Sequence, residues 1–181
     1  MNQLKVLNSE RRYSGRVFNL VLDEVELPSG RRTVKEIAEH AGGAVIVPLM
    51  EDRTLLLVRQ YRHAVRQHVV ELPAGKLGEG EDPAVCAARE LEEETGYVAA
   101  KLEKLTAIFT TPGFCSEQLH IYLATGLQKA AGGQKLEDGE FSLTVKRVPL
   151  GDAVAMIRRR EIVDGKSIAG ILLTWLRLSG G

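Results

Sequence analysis

The chain has 181 residues, 44% hydrophobic and 27% charged, the composition of one ordinary folded domain or one domain with an appendage. Its 24 Lys and Arg balance 24 Asp and Glu, so no bulk electrostatic term favours nucleic acid or an anionic membrane as partner. No apolar run approaches a bilayer span, and the start, Met-Asn-Gln-Leu-Lys-Val-Leu, lacks the apolar core of a secretory signal. Cys86 and Cys115 stand in no metal-type or redox-type spacing and read as small apolar side chains. A cytoplasmic protein is the expectation.

Residues 1–10 read as loose or as a terminal strand. Residues 15–27 are rich in β-formers, Pro28-Ser29-Gly30 is a turn signal, and 31–39 read as a returning strand. This predicts an N-terminal β-hairpin extension over 1–40, either a contact for a second subunit or a bare edge extension, ahead of a main domain over 41–181. Residues 44–50 read as a buried strand, 51–53 as a turn and 55–61 as the next strand. A basic stretch follows, with Arg59, Arg62, His63, Arg66 and His68. Each alone reads as a solvated charge; as a group they suit a pyrophosphate, which Arg binds bidentately. Residues 69–73 form a short strand leading into Ala74-Gly75.

Residues 75–97 begin as a Gly-rich loop and end as a helix. Asp82 is a good N-cap, Pro83 suits the first turn and Gly96 is placed to end the helix left-handed, so the spacing predicts a helix over 83–95. At about 100° per residue, Ala84, Ala87, Ala88, Leu91 and Thr95 fall on one side, and Glu90, Glu93 and Glu94 on the other. Glu90 and Glu94 are a like-charged i, i+4 pair, costing about 0.2–0.5 kcal/mol. Glu93 and Glu94 lie in the last turn, where the helix dipole disfavours negative charge by ~0.3–1 kcal/mol each. A plain solvated face bears both penalties; a bound divalent cation reverses both. Hard carboxylate oxygens on one face suit Mg²⁺, which keeps waters and binds substrate phosphates.

Beyond the helix, 101–110 read as a strand, Thr111-Pro112-Gly113-Phe114 as a loop, and 117–125 as a strand paired with the first. Residues 126–140 form a polar, Gly-rich loop, and 141–148 alternate as a strand. Two helices follow, over 151–160 and 166–178. In the second, Ile168, Ile171, Leu172, Trp175 and Leu176 make a core-facing stripe, with Trp175 read as core and not as a ligand platform. The mixture lacks strict βαβ alternation, which argues against a doubly wound nucleotide fold and for an α/β protein with a mixed sheet and helices on two faces.

The stretch 75–97 resembles the Nudix box at Gly75, Glu81, Arg89, Glu90, Leu91, Glu93, Glu94, Gly96 and Tyr97. The one soft departure is Tyr97, where an aliphatic residue is commoner. The resemblance implies an α/β/α sandwich with the box as loop, helix and loop, and hydrolysis of a nucleoside diphosphate linked to another group. Two further stretches, Glu71-Leu-Pro-Ala-Gly-Lys76 and Thr-Pro-Gly-Phe-Cys-Ser-Glu around Pro112, look like the ADP-ribose pyrophosphatase branch, whose members form homodimers with exchanged N-terminal strands.

What that resemblance implies for the site is specific. Mg²⁺, with Mn²⁺ as the alternative, would be held by Glu90 and Glu94, by the backbone carbonyl of Ala74, and by Glu93 directly or through water. Arg89 would hold the glutamates in place. A loop glutamate, Glu140 or else Glu137, would orient the attacking water. Arg62 and Arg59 are candidates for the phosphates, and Phe114 beside Gly113, Tyr13 or Phe18 for the adenine. The substrate is expected to be ADP-ribose; the alternatives are a nucleotide sugar such as GDP-mannose, another dinucleotide, or a non-catalytic ligand sensor. A sensor favours degenerate box glutamates, and here they are intact.

Overall fold

The computed structural model describes residues 4–136 and 142–180. The chain divides into two compact units, Met1–Gly42 with Phe109–Gln118, and Gly43–Ile108 with Leu119–Gly181.

The first unit is a three-stranded antiparallel meander: β1 (Lys5–Ser14), β2 (Asn19–Glu26) and β3 (Arg32–Glu39), in that order. The β2–β3 register runs unbroken from Asn19 opposite Glu39 to Glu26 opposite Arg32. The expected hairpin is there, but residues 5–14 supply a third strand, so the extension is a sheet. β1 is almost wholly exposed, and its β2 pairing shifts between Val6 and Asn8 and again between Arg11 and Tyr13. Such irregularity breaks the period-two signal that marks a strand in sequence. The segment 109–118 belongs to this unit through backbone bonds, Ala38 N–H to Phe114 O at 2.7 Å and Ser116 N–H to Ala38 O at 3.0 Å.

The second unit contains, in chain order, β4 (Gly43–Pro48), β5 (Thr54–Arg62), β6 (Gln67–Glu71), β7 (Ala74–Lys76), α1 (Pro83–Thr95), β8 (Tyr97–Phe109), β9 (Gln118–Lys129), β10 (Thr144–Pro149), α2 (Leu150–Arg158) and α3 (Gly165–Leu178). One sheet runs β7-β4-β9-β8 and is mixed, β4 being antiparallel to β7 and parallel to β9; the other runs β10-β5-β6. β9 continues to Lys129, four residues past the strand end read from sequence.

β4 explains the layering. All six of its residues are buried, and side chains alternate across a strand. Ala44 and Ile46 join Cys86, Ala87 and Leu91 of α1 with Tyr122 and Ala124 of β9 in one core. Val45 and Val47 join Ile171 of α3, Leu55 and Leu57 of β5, and Leu119, Ile121 and Leu123 of β9 in the other. A strand apolar on both faces reads as a continuous hydrophobic run because helices cover both sides.

Two helix faces differ from the sequence reading. The buried side of α3 is Ser167, Gly170, Ile171 and Thr174, while Trp175 and Leu176 are 39% and 60% exposed. Size misled the assignment: a Cβ on Gly170 would lie 2.6 Å from Leu72 Cδ1 and 3.0 Å from Val47 Cγ2, so the helix comes closest to the sheet where its residues are smallest. On α1, Ala88 is exposed, and Glu90 and Glu94 lie within the buried face with Cys86, Ala87, Leu91 and Thr95. The carboxylates do not face away from the core.

Candidate active site

The caps of α1 form as its sequence dictates. Asp82 Oδ1 accepts from Ala84 N–H at 2.7 Å, and Gly96, at φ 71°, returns its N–H to Glu92 O at 2.8 Å. The helix is then laid against β7, a strand of three residues that the sequence reading missed. Its first two residues pair with Val45 and Ala44 of β4. Here Glu90 and Glu94 find their places. Glu94 Oε2 accepts from Ala74 N–H at 3.1 Å. The Glu90 carboxyl fills the space beside Gly75, where a Cβ would lie 1.9 Å from its carboxyl carbon. Both are buried, at 8% and 1% exposure.

Arg89 sits among the acids. Its Nη1 donates to Glu90 Oε1 at 2.6 Å and Glu93 Oε2 at 2.9 Å, its Nε to Glu81 Oε1 at 3.1 Å and its Nη2 to Glu81 Oε2 at 3.2 Å. The Arg89 bonds, with Gly78 N–H at 2.8 Å, hold the Glu81 carboxyl below its usual range. Glu81 in return raises the pKa of Arg89, and Glu90 and Glu93 add to it against the cost of burial. Burial, with the charges of Glu81 and Glu90, pushes the Cys86 thiol up to about 11. It is therefore neutral near pH 7, and its use is packing.

The oxygens gathered here are the donors a hard divalent ion takes, and Arg89 shows that positive charge is at home among them. Among the described residues no group of three or more acidic, His or Cys side chains is poised to hold a metal ion. Glu90 and Glu93 both turn to Arg89, so a metal held by these carboxylates would share them with the guanidinium. The donor chemistry fits.

The far end of α1 is closed by the segment after β9. Ala130 N–H reaches Gly96 O and Lys135 N–H reaches Glu93 O, each at 2.9 Å, Gln134 Nε2 donates to Glu94 O at 2.6 Å, and Lys135 Nζ pairs with Glu92 at 2.8 Å. Orphan carbonyls at the C-terminus thus gain donors, and a cation meets the negative end of the dipole. The sequence reading took 126–140 for a polar, Gly-rich loop carrying a candidate base and did not foresee its contacts with the end of α1. Glu137 and Glu140 lie outside the described residues.

Arg62 donates through Nε and Nη2 to the two oxygens of Glu71, both at 2.7 Å. Glu71 is 2% exposed and also bonds Lys166 at the start of α3. Burial raises the Glu71 carboxyl, but the Arg62 hydrogen bonds and the Lys166 and Arg62 charges outweigh it, and the pKa falls below its usual value. Arg59 lies on β5 opposite Val70 and Thr144. Tyr13, Phe18, Gly113 and Phe114 belong to the first unit, where the Tyr13 and Phe18 rings stand 6.1 Å apart. Lys166 escaped the sequence reading. Its one signal there is a cation in the first turn of a helix, where the dipole disfavours it.

A NUDIX domain model matches residues 39–169. The chain belongs to the Nudix family and is a Nudix hydrolase, of the class that cleaves a pyrophosphate with the help of a divalent metal. It is 40% identical over 167 residues to an ADP-ribose pyrophosphatase of Bacillus subtilis, covering 92% of this chain and 90% of that one. It is 39% identical to a methanol dehydrogenase activator of Bacillus methanolicus, with the same coverage. It is 33% identical to a GDP-mannose pyrophosphatase of Citrobacter koseri, covering 82% and 80%. A crystal structure of an ADP compounds hydrolase superposes with a TM-score of 0.85 at 24% identity, covering 99% of this chain and 97% of that one, and shares the fold. Among the described residues no helix is long and apolar enough to cross a membrane.

Proposed function

We propose that the protein hydrolyses ADP-ribose to AMP and ribose 5-phosphate with Mg²⁺, in the cytoplasm and as a homodimer joined through its N-terminal residues 1–40. The observation that carries the catalytic part is the placing of Glu90 and Glu94 against β7, where Gly75 lacks the Cβ that would exclude one of them. The choice of ADP-ribose is supported by the 40% identity to a pyrophosphatase of that name. The GDP-mannose pyrophosphatase at 33% identity supports a nucleotide sugar as the second reading.

Glu90, Glu94 and the Ala74 carbonyl would hold the metal, with Glu93 as a further or water-bridged ligand. When bound, the ion neutralises charge on the phosphate oxygens and eases ionisation of water. The remaining work falls to the chain. Arg89 keeps Glu81, Glu90 and Glu93 in place. Arg62 and Arg59 take the phosphates. Glu140, or else Glu137, accepts the proton of the water whose oxygen attacks phosphorus as the bridging P–O bond breaks. Phe114 beside Gly113, Tyr13 or Phe18 supplies the face for adenine.

The test is a product-release assay over ADP-ribose, GDP-mannose, UDP-glucose, NADH and a deoxynucleoside triphosphate with Mg²⁺. ADP-ribose is expected to give the highest kcat/KM; a nucleotide sugar ranking above it selects the second reading. Glu94→Gln should lower kcat by about 100-fold or more, since it removes a charge that matters most in the transition state. The base shows as a loss of about 10²–10⁴ in Glu140→Gln or Glu137→Gln; if both stay near wild type, the base lies elsewhere.

A further inference from the structure

We infer that Lys166 is a positioning residue for substrate: it holds the buried carboxylate of Glu71, and Glu71 in turn aims the guanidinium of Arg62 at the phosphates. The inference rests on the reading of Arg62 as a phosphate contact.

The argument starts from a charge in the wrong place. α3 opens with Asp164 as N-cap, its carboxylate accepting from Ser167 N–H at 3.0 Å. Lys166 is the second helical residue, at the positive end of the dipole, where anions are favoured and cations are not. Its side chain is only 13% exposed. A lysine is neither drawn to that position by the helix nor left there by solvent, so its partners must hold it. They are Glu71 Oε2 and, at 3.0 Å, Asp164 Oδ2.

Glu71 is the centre of the chain of contacts. One of its oxygens is shared by Lys166 and Arg62 Nη2, and the other takes Arg62 Nε. The bidentate bond fixes the plane of the guanidinium. It leaves Nη1 for another acceptor, and the Arg62 side chain is 42% exposed. Three residues after Glu71, Ala74 N–H donates to Glu94 Oε2 at 3.1 Å, so the strand segment that carries Arg62's partner also carries a contact of the buried carboxylates. With one cation removed, a carboxylate so deeply buried loses half of its charge compensation and the contact that fixes its rotation. The helix start is pinned beside the end of β6 by Leu72 N–H donating to Ser167 Oγ at 2.7 Å. A purely structural tie between α3 and β6 would therefore survive loss of the lysine; the aiming of Arg62 would not.

A double-mutant cycle separates the two. Lys166→Gln, Lys166→Arg, Arg62→Ala and the Arg62→Ala/Lys166→Gln pair are assayed on whichever nucleotide derivative the release panel ranks first. A wrong substrate assignment then shows in the panel and leaves the cycle intact. ADP affinity is measured by calorimetry beside it, and Lys166→Met repeats the test should Lys166→Gln melt early. Lys166→Gln is expected to raise KM and weaken ADP by about 10-fold or more, as loss of a supporting partner does, with kcat changed much less. Lys166→Arg restores most of it. In the Arg62→Ala background the lysine should matter by less than about twofold, because the two act as one unit. An equal loss in both backgrounds, or no loss in either, overturns the inference. Unchanged KM and ADP affinity in Arg62→Ala alone overturns the phosphate role on which it rests.

Discussion

At Gly75 one hydrogen atom separates a site from its absence. The residue is not needed for a left-handed backbone, since its φ is not positive; it is needed for room. An alanine there would set a methyl 1.9 Å from the Glu90 carboxyl carbon. The obstructing group is the far end of a side chain, bonded to Arg89 Nη1 at 2.6 Å, so Glu90 gives up its place there while the backbone stays. Gly75→Ala should therefore cost no more than about 1–3 kcal/mol of stability, yet lower kcat by about 100-fold by misplacing a ligand. Melting and steady-state kinetics on one preparation check this, and a variant that keeps wild-type kcat would show that Glu90 acts from another position. At this scale the sequence was most legible where spacing brings side chains together: Arg89 meets Glu90 and Glu93, and Glu94 lies one turn on from Glu90 against Ala74. It was silent on Lys166 meeting Glu71, because a contact across 95 positions leaves no local trace beyond a cation at the wrong end of a helix.

Elements were legible in proportion to how much of their shape is set locally. α1 runs from Pro83 to Thr95, as its caps require, because capping is a short-range bargain between side chain and backbone. Its buried face was misjudged, since the wheel was centred on alanines while Glu90 and Glu94 lie inward. Buried carboxylates at a site are where a polarity rule ought to fail. β7 was missed because three residues carry no period. α3 was found, but with Trp175 and Leu176 assigned to the core in place of Ser167, Gly170 and Thr174. The close approach it makes is testable. Gly170→Ala would help an isolated helix by ~1 kcal/mol. In the fold its methyl meets Leu72 at 2.6 Å and Val47 at 3.0 Å, two side chains packed on the sheet. Neither has free space to yield, so a net loss of about 1–3 kcal/mol is expected from overpacking. A denaturant midpoint equal to or above wild type would mean the sheet gives way there.

For the molecule as a whole, equal numbers of acids and bases mean that acid acts through particular carboxylates before net repulsion builds. Glu71 is the one to watch. Its folded pKa is lowered, because hydrogen bonds from Arg62 and the neighbouring cations outweigh burial. A carboxyl near its ordinary ~4.3 in the unfolded chain binds protons there before it binds them in the fold. Between the two values the unfolded state holds more protons, so stability rises with pH. The contribution is fully present above ~4.3 and is lost as pH falls through the folded value. In Glu71→Gln the group cannot titrate. That variant should be less stable at pH 7 by about 1–3 kcal/mol, below the usual cost of a broken buried pair because Arg62 faces solvent on one side and Lys166 keeps Asp164. The gap to wild type should then narrow as the pH is lowered below ~4. Denaturant melts of both proteins from pH 7 to pH 3 give the difference directly. A gap that stays constant across that range would mean that Glu71 carries no more charge in the fold than in the open chain, and the buried network would have to be held together by packing alone.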